Sequence, residues 1–98
     1  MYPYDLHSTG PGGTRCIEVK GTTTGQFKLS ETQRRAAKKL GQAYYIYVVR
    51  DPLGAHPKLT IIRDPLSKMT YDDVLYSGAR YVFNASTWQA AADEETLL

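Results

Sequence analysis

Residues 43–49 constrain the fold more than any other segment, because every one of them is apolar or aromatic. A strand with one face in water alternates polar and apolar residues, whereas a strand covered on both faces does not. We therefore expect a central strand here with both of its faces covered. Residues 58–63 (Lys-Leu-Thr-Ile-Ile-Arg) and the alternating residues 14–20 predict two further strands.

A helix is predicted between the strands at 14–20 and 43–49. Ser30 is a suitable N-cap, and Gln33 three residues later completes the pattern of a capping box. Gly41 is the expected stop of this helix. The whole connection is long enough for a right-handed parallel crossover between the two strands.

Residues 2–7 predict one more short strand, which the Gly-Pro-Gly-Gly turn at 10–13 would join to the strand at 14–20. Together these elements indicate an α/β fold with a mixed central sheet flanked by helices. We expect a single domain over residues 1–98, with its core in residues 2–66.

Residues 67–98 predict an irregular, partly helical extension of that core. Residues 70–73 could cap a short helix, and residues 81–83 could form a short strand. Ser86 with Gln89 is a second capping-box candidate and would open a final helix. The acidic residues 93–95 suit the C-terminal end of a helix poorly, so we expect the last residues to fray.

Composition excludes several classes of protein. A chain of 98 residues with 42% hydrophobic and 22% charged residues fits one small globular domain. A single cysteine, Cys16, excludes an internal disulfide framework and a multi-cysteine zinc site. Neither a membrane span nor a signal peptide is evident, so a cytoplasmic, reducing location is expected.

Charge is distributed unevenly along the chain. Residues 1–50 carry eight Lys and Arg against three Asp and Glu, a net +5, whereas residues 51–98 carry four against seven, a net −3. Such a field can attract a polyanion to the first half. It is equally explained by two solvated faces, and both interpretations stay open.

The predicted helix has a basic face made of Arg34, Arg35, Lys38 and Lys39. These side chains could contact nucleic-acid phosphates, or they could form an ordinary solvated helix surface.

Glu18 and Lys20 lie two residues apart on the predicted strand at 14–20. Side chains alternate along a strand, so these two share one face about 6.5–7 Å apart. Ile17 and Val19 would then point the other way, toward a core. If the first strand pairs antiparallel with this one, Asp5 can lie beside Glu18.

Two carboxylates placed together repel each other unless a cation neutralises them. Hard oxygen ligands suit Mg²⁺ or Mn²⁺, so we expect Asp5, Glu18 and the backbone carbonyl of Val19 to hold such an ion. Lys20 could orient an attacking water or stabilise charge developing on a phosphorane. The competing interpretation is that Glu-x-Lys is only a solvated strand face with a weak ion pair.

The order of an Asp on a strand, a glycine turn, Glu-x-Lys, a helix and a strand resembles the PD-(D/E)xK nuclease superfamily. More closely, the chain resembles the NO VEIN C-terminal domain family over about residues 4–66. The similar residues are Ile17-Glu18-Val19-Lys20-Gly21, Phe27-Lys28-Leu29-Ser30, Ala37, Gly41, Tyr44, Tyr47-Val48-Val49 and Asp64-Pro65.

This resemblance implies a restriction-endonuclease-like core that hydrolyses DNA phosphodiester bonds with Mg²⁺ or Mn²⁺. It implies Asp5, Glu18 and Lys20 as catalytic positions, with Gln33 in support, because related nucleases often place a polar residue on the following helix. It also implies a setting in restriction or phage defence, fused to or associated with a helicase or methyltransferase.

Three functions therefore compete: a metal-dependent deoxyribonuclease, an inactive module of the same fold that binds nucleic acid or a protein, and a purely structural domain. RNA is not excluded as the substrate. Superfamily members usually have a helix, often with a strand, before the Asp that corresponds to Asp5. Three explanations stay open: the chain belongs to a larger protein, a partner copy in a homodimer completes the sheet, or the site is degenerate.

Overall fold

A five-stranded mixed sheet forms the centre of the molecule, as seen in a computed structural model that describes residues 4–76 and 78–98. The strands of this sheet lie in the order β1-β2-β4-β5-β8. Their bounds are β1 Leu6–Gly10, β2 Gly13–Thr22, β4 Tyr44–Arg50, β5 Lys58–Arg63 and β8 Glu94–Leu97. A second, three-stranded sheet has the order β3-β7-β6, with β3 Phe27–Ser30, β6 Asp73–Leu75 and β7 Arg80–Phe83.

Three α-helices accompany these sheets in the described part of the chain, α1 Glu31–Leu40, α2 Pro65–Lys68 and α3 Ala85–Ala90, and a 3-10 turn at Gly41–Ala43 follows α1. Helix α1 begins where the sequence predicts. The Ser30 side chain accepts from the Gln33 backbone, the Gln33 side chain accepts from the Ser30 backbone, and Gly41 ends the helix at φ 53°. A glycine adopts this left-handed backbone at little cost.

The connection through α1 produces the predicted parallel pair. Strand β2 runs parallel to β4, with Cys16 opposite Tyr44 and Glu18 opposite Ile46. Strand β1 pairs antiparallel with β2 across the turn in which Gly10 faces Gly13. The α/β architecture with a mixed sheet and the strands around residues 14–20, 43–49 and 58–63 are thus confirmed.

The core lies on the face of the sheet opposite to the predicted one. Cys16, Tyr44 and Ile46 point into the main hydrophobic cluster, which also contains Ala37 of α1, Trp88 of α3 and Met69 just after α2. On the other face Val19 is 39% exposed. Ile17 is buried, at 5% exposed, but it lies outside the main cluster. The main core is therefore on the face of Glu18 and Lys20 and not, as expected, on the face of Ile17 and Val19.

The outer face of β4 is shielded without a covering helix. Tyr45 is buried because the guanidinium groups of Arg15 and Arg63 lie over its ring, at 4.5 Å and 5.6 Å from the centroid. Tyr47 and Val49 on this face stay half-exposed. The expectation that both faces of this strand are covered is thus only partly confirmed. Arginine side chains cover part of the outer face, and no layer of helices or strands in the described residues packs on it.

Trp88 joins the second sheet to the first. Its side chain is 1% exposed, packs near Phe27, and donates from Nε1 to the carbonyl oxygen of Gly25 at 2.7 Å. Phe27 in turn stacks on Phe83 of β7. The aromatic contacts explain why the short strands of the second sheet stay against α1 and β4.

The C-terminal third differs from its prediction in three places. The helix predicted at 70–73 is absent from the described residues, and Pro65 instead starts α2 while β6 begins at Asp73. Helix α3 starts after Asn84 rather than Ser86. The last residues, which were expected to fray, form β8 from Glu94 to Leu97, in which Glu94 lies opposite Ile61 of β5.

These three differences arise from contacts between residues distant in the sequence, which a local pattern cannot show. Asp72 anchors the start of α3 by accepting from the backbone N–H of Asn84 and the hydroxyl of Thr87, both at 2.8 Å. Lys58 pairs with Glu95 across the β5–β8 ladder at 3.1 Å. Within the described residues, no helix is long and apolar enough to cross a membrane.

Candidate active site

Asp5 is held beside β2 by two hydrogen bonds. Its backbone N–H donates to the Ile17 carbonyl, and its carboxylate accepts from the backbone N–H of Val19, both at 2.8 Å. The β1–β2 ladder ends at Leu6 opposite Ile17, and the Asp5 side chain just before it contacts Glu18. The predicted neighbourhood of Asp5 and Glu18 is therefore present in the structure.

Glu18 is a buried carboxyl with incomplete partners. The residue is 3% exposed, and its Oε1 has no hydrogen-bond partner among the described residues. Its Oε2 lies 3.6 Å from the ammonium of Lys20. A buried acceptor without a donor costs free energy, so an orphaned carboxylate oxygen calls for a functional explanation.

The environment raises the pKa of Glu18 to about 7. Burial is the main cause, and the charge and close contact of Asp5 raise it further, while Lys20 opposes the shift. Two carboxylates in such contact must either share a proton or be neutralised by a cation. Near pH 7, Glu18 is therefore divided between its protonated and ionised forms, and a bound cation would favour the ionised form.

The donor set fits a hard divalent cation. Asp5 and Glu18 supply carboxylate oxygens, and the free Oε1 of Glu18 is a ready ligand. The carbonyl of Val19 projects to the same side as its N–H, which faces Asp5, so this oxygen is directed toward the pair. No group of three or more His, Cys, Asp or Glu side chains that could hold a metal occurs within residues 4–76 and 78–98. An ion here would thus depend on two side chains, a backbone carbonyl and water.

Lys20 is positioned from the helix side. Its Nζ donates to Oε1 of Gln33 at 3.0 Å, and the same oxygen accepts from the backbone N–H of Ser30 at 2.9 Å. The structure therefore brings together all four predicted catalytic residues, Asp5, Glu18, Lys20 and Gln33. Their catalytic role remains a prediction.

The predicted nucleic-acid-binding residues fall into two pairs. Arg34 and Arg35 both bind Glu31, at 2.8 Å each, and Arg34 also lies over the ring of Tyr81 at 4.9 Å. Lys38 and Lys39 are exposed, and neither makes an ion pair within the described residues. The two lysines are consequently the more available cations for a phosphate backbone.

Tyr44 is a neighbour of the carboxylate pair that sequence reasoning missed. Its side chain is fully buried, and its pKa is raised by burial and then by the nearby charges of Glu18, Asp5 and Cys16. The parallel register that sets Tyr44 opposite Cys16 explains this location. The predicted parallel pairing of these two strands was the one available indication. It does not identify which residues are neighbours until the register of the pairing is known.

Fold and site together define an α/β domain in which a mixed sheet and one helix gather two carboxylates, a lysine and a glutamine. The chain belongs to the NO VEIN C-terminal family, because the family model described as Protein NO VEIN, C-terminal, matches residues 1–62. The predicted family is thereby confirmed. A search of curated proteins and a search of solved structures gave no significant match.

Proposed function

We propose that this chain is a restriction-endonuclease-like domain of the PD-(D/E)xK type that hydrolyses DNA phosphodiester bonds with Mg²⁺ or Mn²⁺. The observation that carries the proposal is the contact between Asp5 and the buried Glu18, whose Oε1 lacks a protein partner in the described part of the chain. A carboxylate pair with a lysine beside it has no evident structural purpose at this cost in burial.

The mixed sheet supports the proposal as well. The segment that carries Asp5 just before β1, the Glu-x-Lys strand β2, α1 and the parallel strand β4 occur along the chain in the order that the PD-(D/E)xK resemblance implies. The same order puts Gln33 against Lys20.

A bound divalent cation would neutralise the carboxylates and polarise the scissile phosphate. Asp5 and Glu18 would hold that cation, and the Val19 carbonyl would complete the protein's oxygen ligands. Lys20, 3.6 Å from Glu18 and tied to Gln33, would orient the attacking water or stabilise negative charge on the phosphorane. Gln33 would keep the ammonium in place between turnovers.

DNA binding is proposed to rest on charge rather than on base contacts. Lys38 and Lys39 on α1 would contact phosphates, with Arg34 and Arg35 contributing less because Glu31 already binds them. Sequence specificity would then come from an attached or associated helicase- or methyltransferase-type protein or from a partner copy. A role in restriction or phage defence fits such an arrangement.

The test is a cleavage assay on single-stranded, duplex and branched DNA, with RNA in parallel, in Mg²⁺, Mn²⁺ or EDTA. Wild-type protein should cut in a metal-dependent way, and Glu18→Ala and Lys20→Ala should each lower the rate by about 10²–10³-fold. Lys58→Ala is the matched control, since it removes a lysine paired with Glu95 away from the site. Cleavage that survives both site substitutions would refute the site, whereas DNA binding without cleavage under any metal would favour a non-catalytic module.

A further inference from the structure

The side-chain oxygen of Gln33 serves two donors at once. It accepts from Lys20 Nζ at 3.0 Å and from the backbone N–H of Ser30 at 2.9 Å. A carbonyl oxygen has two lone pairs, so these two bonds use its full acceptor capacity. The position of the Lys20 ammonium is therefore coupled to the first turn of α1.

The Ser30 side chain forms a second, reciprocal bond with Gln33. Its Oγ accepts from the backbone N–H of Gln33 at 3.1 Å. The two reciprocal bonds of the capping box hold both the backbone and the side chain of Gln33 in one orientation. A helix cap ordinarily satisfies only backbone donors, whereas this one also presents an oxygen to a lysine.

Besides the neutral amide of Gln33, Lys20 contacts the buried carboxyl of Glu18, at 3.6 Å. The bond to Gln33 therefore fixes the ammonium between the capping box and the Glu18 carboxyl. Loss of that bond would leave the Lys20 side chain less restrained and more open to solvent.

We infer that Ser30 is a positioning residue that acts through Gln33 to hold the ammonium of Lys20 beside the Asp5–Glu18 pair. This inference rests on the proposed function for its catalytic meaning, but the positioning itself can be measured without any substrate. Ser30 touches neither the carboxylates nor Lys20 through its own hydroxyl, so its effect passes through the capping box alone.

The experiment compares how fast an amine-acetylating reagent modifies Lys20, with Lys58 as an internal reference in the same molecule and mass spectrometry as the readout. In the wild type, the Lys20 side chain is 19% exposed and held by Gln33, so its labelling should be slow. Ser30→Ala should raise the ratio of Lys20 to Lys58 labelling by about tenfold, as the first turn of α1 loses its cap. Ser30→Thr keeps a capping hydroxyl and should restore the wild-type ratio.

Two further variants separate positioning from a general loss of stability. Ser30→Gly lacks the hydroxyl but is tolerated at an N-cap, so it keeps the fold if Ser30→Ala does not. Asp72→Ala removes the two hydrogen bonds from Asn84 and Thr87 that anchor the start of α3, and it should leave the Lys20 ratio unchanged. An unchanged ratio in both Ser30→Ala and Ser30→Gly, or an equal rise in Asp72→Ala, would overturn the inference.

Cleavage kinetics then test the link to catalysis. Ser30→Ala should lower kcat by about tenfold while KM stays within about twofold, because the first turn positions a reacting group and not the DNA. If wild-type protein cleaves no nucleic acid, the proposed function fails while the labelling ratio still decides the inference. If wild-type protein cleaves and the labelling ratio does not respond to Ser30, the inference alone fails.

Discussion

The backbone N–H of Val19 donates to the carboxylate of Asp5 at 2.8 Å, which ties the segment before β1 to the residue between Glu18 and Lys20. The bond gives an exposed aspartate a defined position next to a buried glutamate. Because the donor is backbone, this position depends on the register of β1 against β2 and not on the identity of the residue at 19.

The raised pKa of Glu18 predicts a pH-dependent stability. A group whose pKa is higher in the folded state, here about 7 against 4.5, favours the fold below pH 4.5 and progressively opposes it as pH rises through 7. Glu18→Gln should therefore stabilise the metal-free protein at pH 8 by on the order of 2 kcal/mol and have little effect at pH 4. Urea unfolding in EDTA at the two pH values measures this difference. Equal effects at both would show that Glu18 titrates normally.

Glu31 should behave in the opposite sense and is the matched control. Hydrogen bonding to Arg34, followed by bonding to Tyr81 and Arg35, lowers its pKa to about 2 in spite of some burial. Its contribution is present above pH 4.5 and disappears as pH falls through 2. Glu31→Gln should thus destabilise the protein at pH 7 and lose that effect in strong acid. A stabilising Glu31→Gln at pH 7 would contradict the ion-pair cluster.

The two unpaired lysines of α1 are expected to dominate the salt dependence of DNA binding. Replacing Lys38 and Lys39 together with Ala should weaken binding to all sequences alike and lower the slope of log K against log salt by about two. Arg35→Ala should have a smaller effect, because Glu31 already binds this guanidinium. Fluorescence anisotropy over a salt series measures both. A slope unchanged by the double substitution would remove α1 from the interface.

Trp88→Phe tests the contact between the two sheets. The substitution deletes the 2.7 Å bond to the Gly25 carbonyl and opens a cavity in a fully packed position, so it should cost about 2–3 kcal/mol of the free energy of unfolding. Far-UV circular dichroism is the suitable probe, since Trp88 is the one tryptophan in the chain. A loss below about 0.5 kcal/mol would mean that the second sheet is held by other contacts.

Local patterns predicted the elements whose causes are local. The capping box of Ser30 and Gln33, the stop at Gly41 and the apolar run before Arg50 each act within a few residues, and each is present. The meeting of Asp5 with Glu18 followed from alternation and a short hairpin, which also involve few residues.

The errors concern partners distant in sequence. Which face of β2 meets the core depends on where α1, α2 and α3 pack, so the main core was assigned to the wrong face, that of Ile17 and Val19. The bond between Asp72 and the start of α3 and the pairing of Glu94 with β5 likewise join residues far apart along the chain. A charged tail that is unfavourable for a helix is acceptable as an edge strand, where lysine partners such as Lys58 lie opposite it.

The most direct test of a cation site between Asp5 and Glu18 is a titration of the metal-free protein with Mn²⁺ at pH 7.5. Binding is measured by calorimetry and by the electron paramagnetic resonance signal of free Mn²⁺. We expect saturable binding of Mn²⁺ to the wild type and loss of that binding in both Asp5→Asn and Glu18→Gln. Glu94→Gln, which removes an acid from β8, should bind Mn²⁺ as the wild type does. Binding of equal strength in all four proteins, or no binding to the wild type at millimolar Mn²⁺, would contradict a cation site between Asp5 and Glu18.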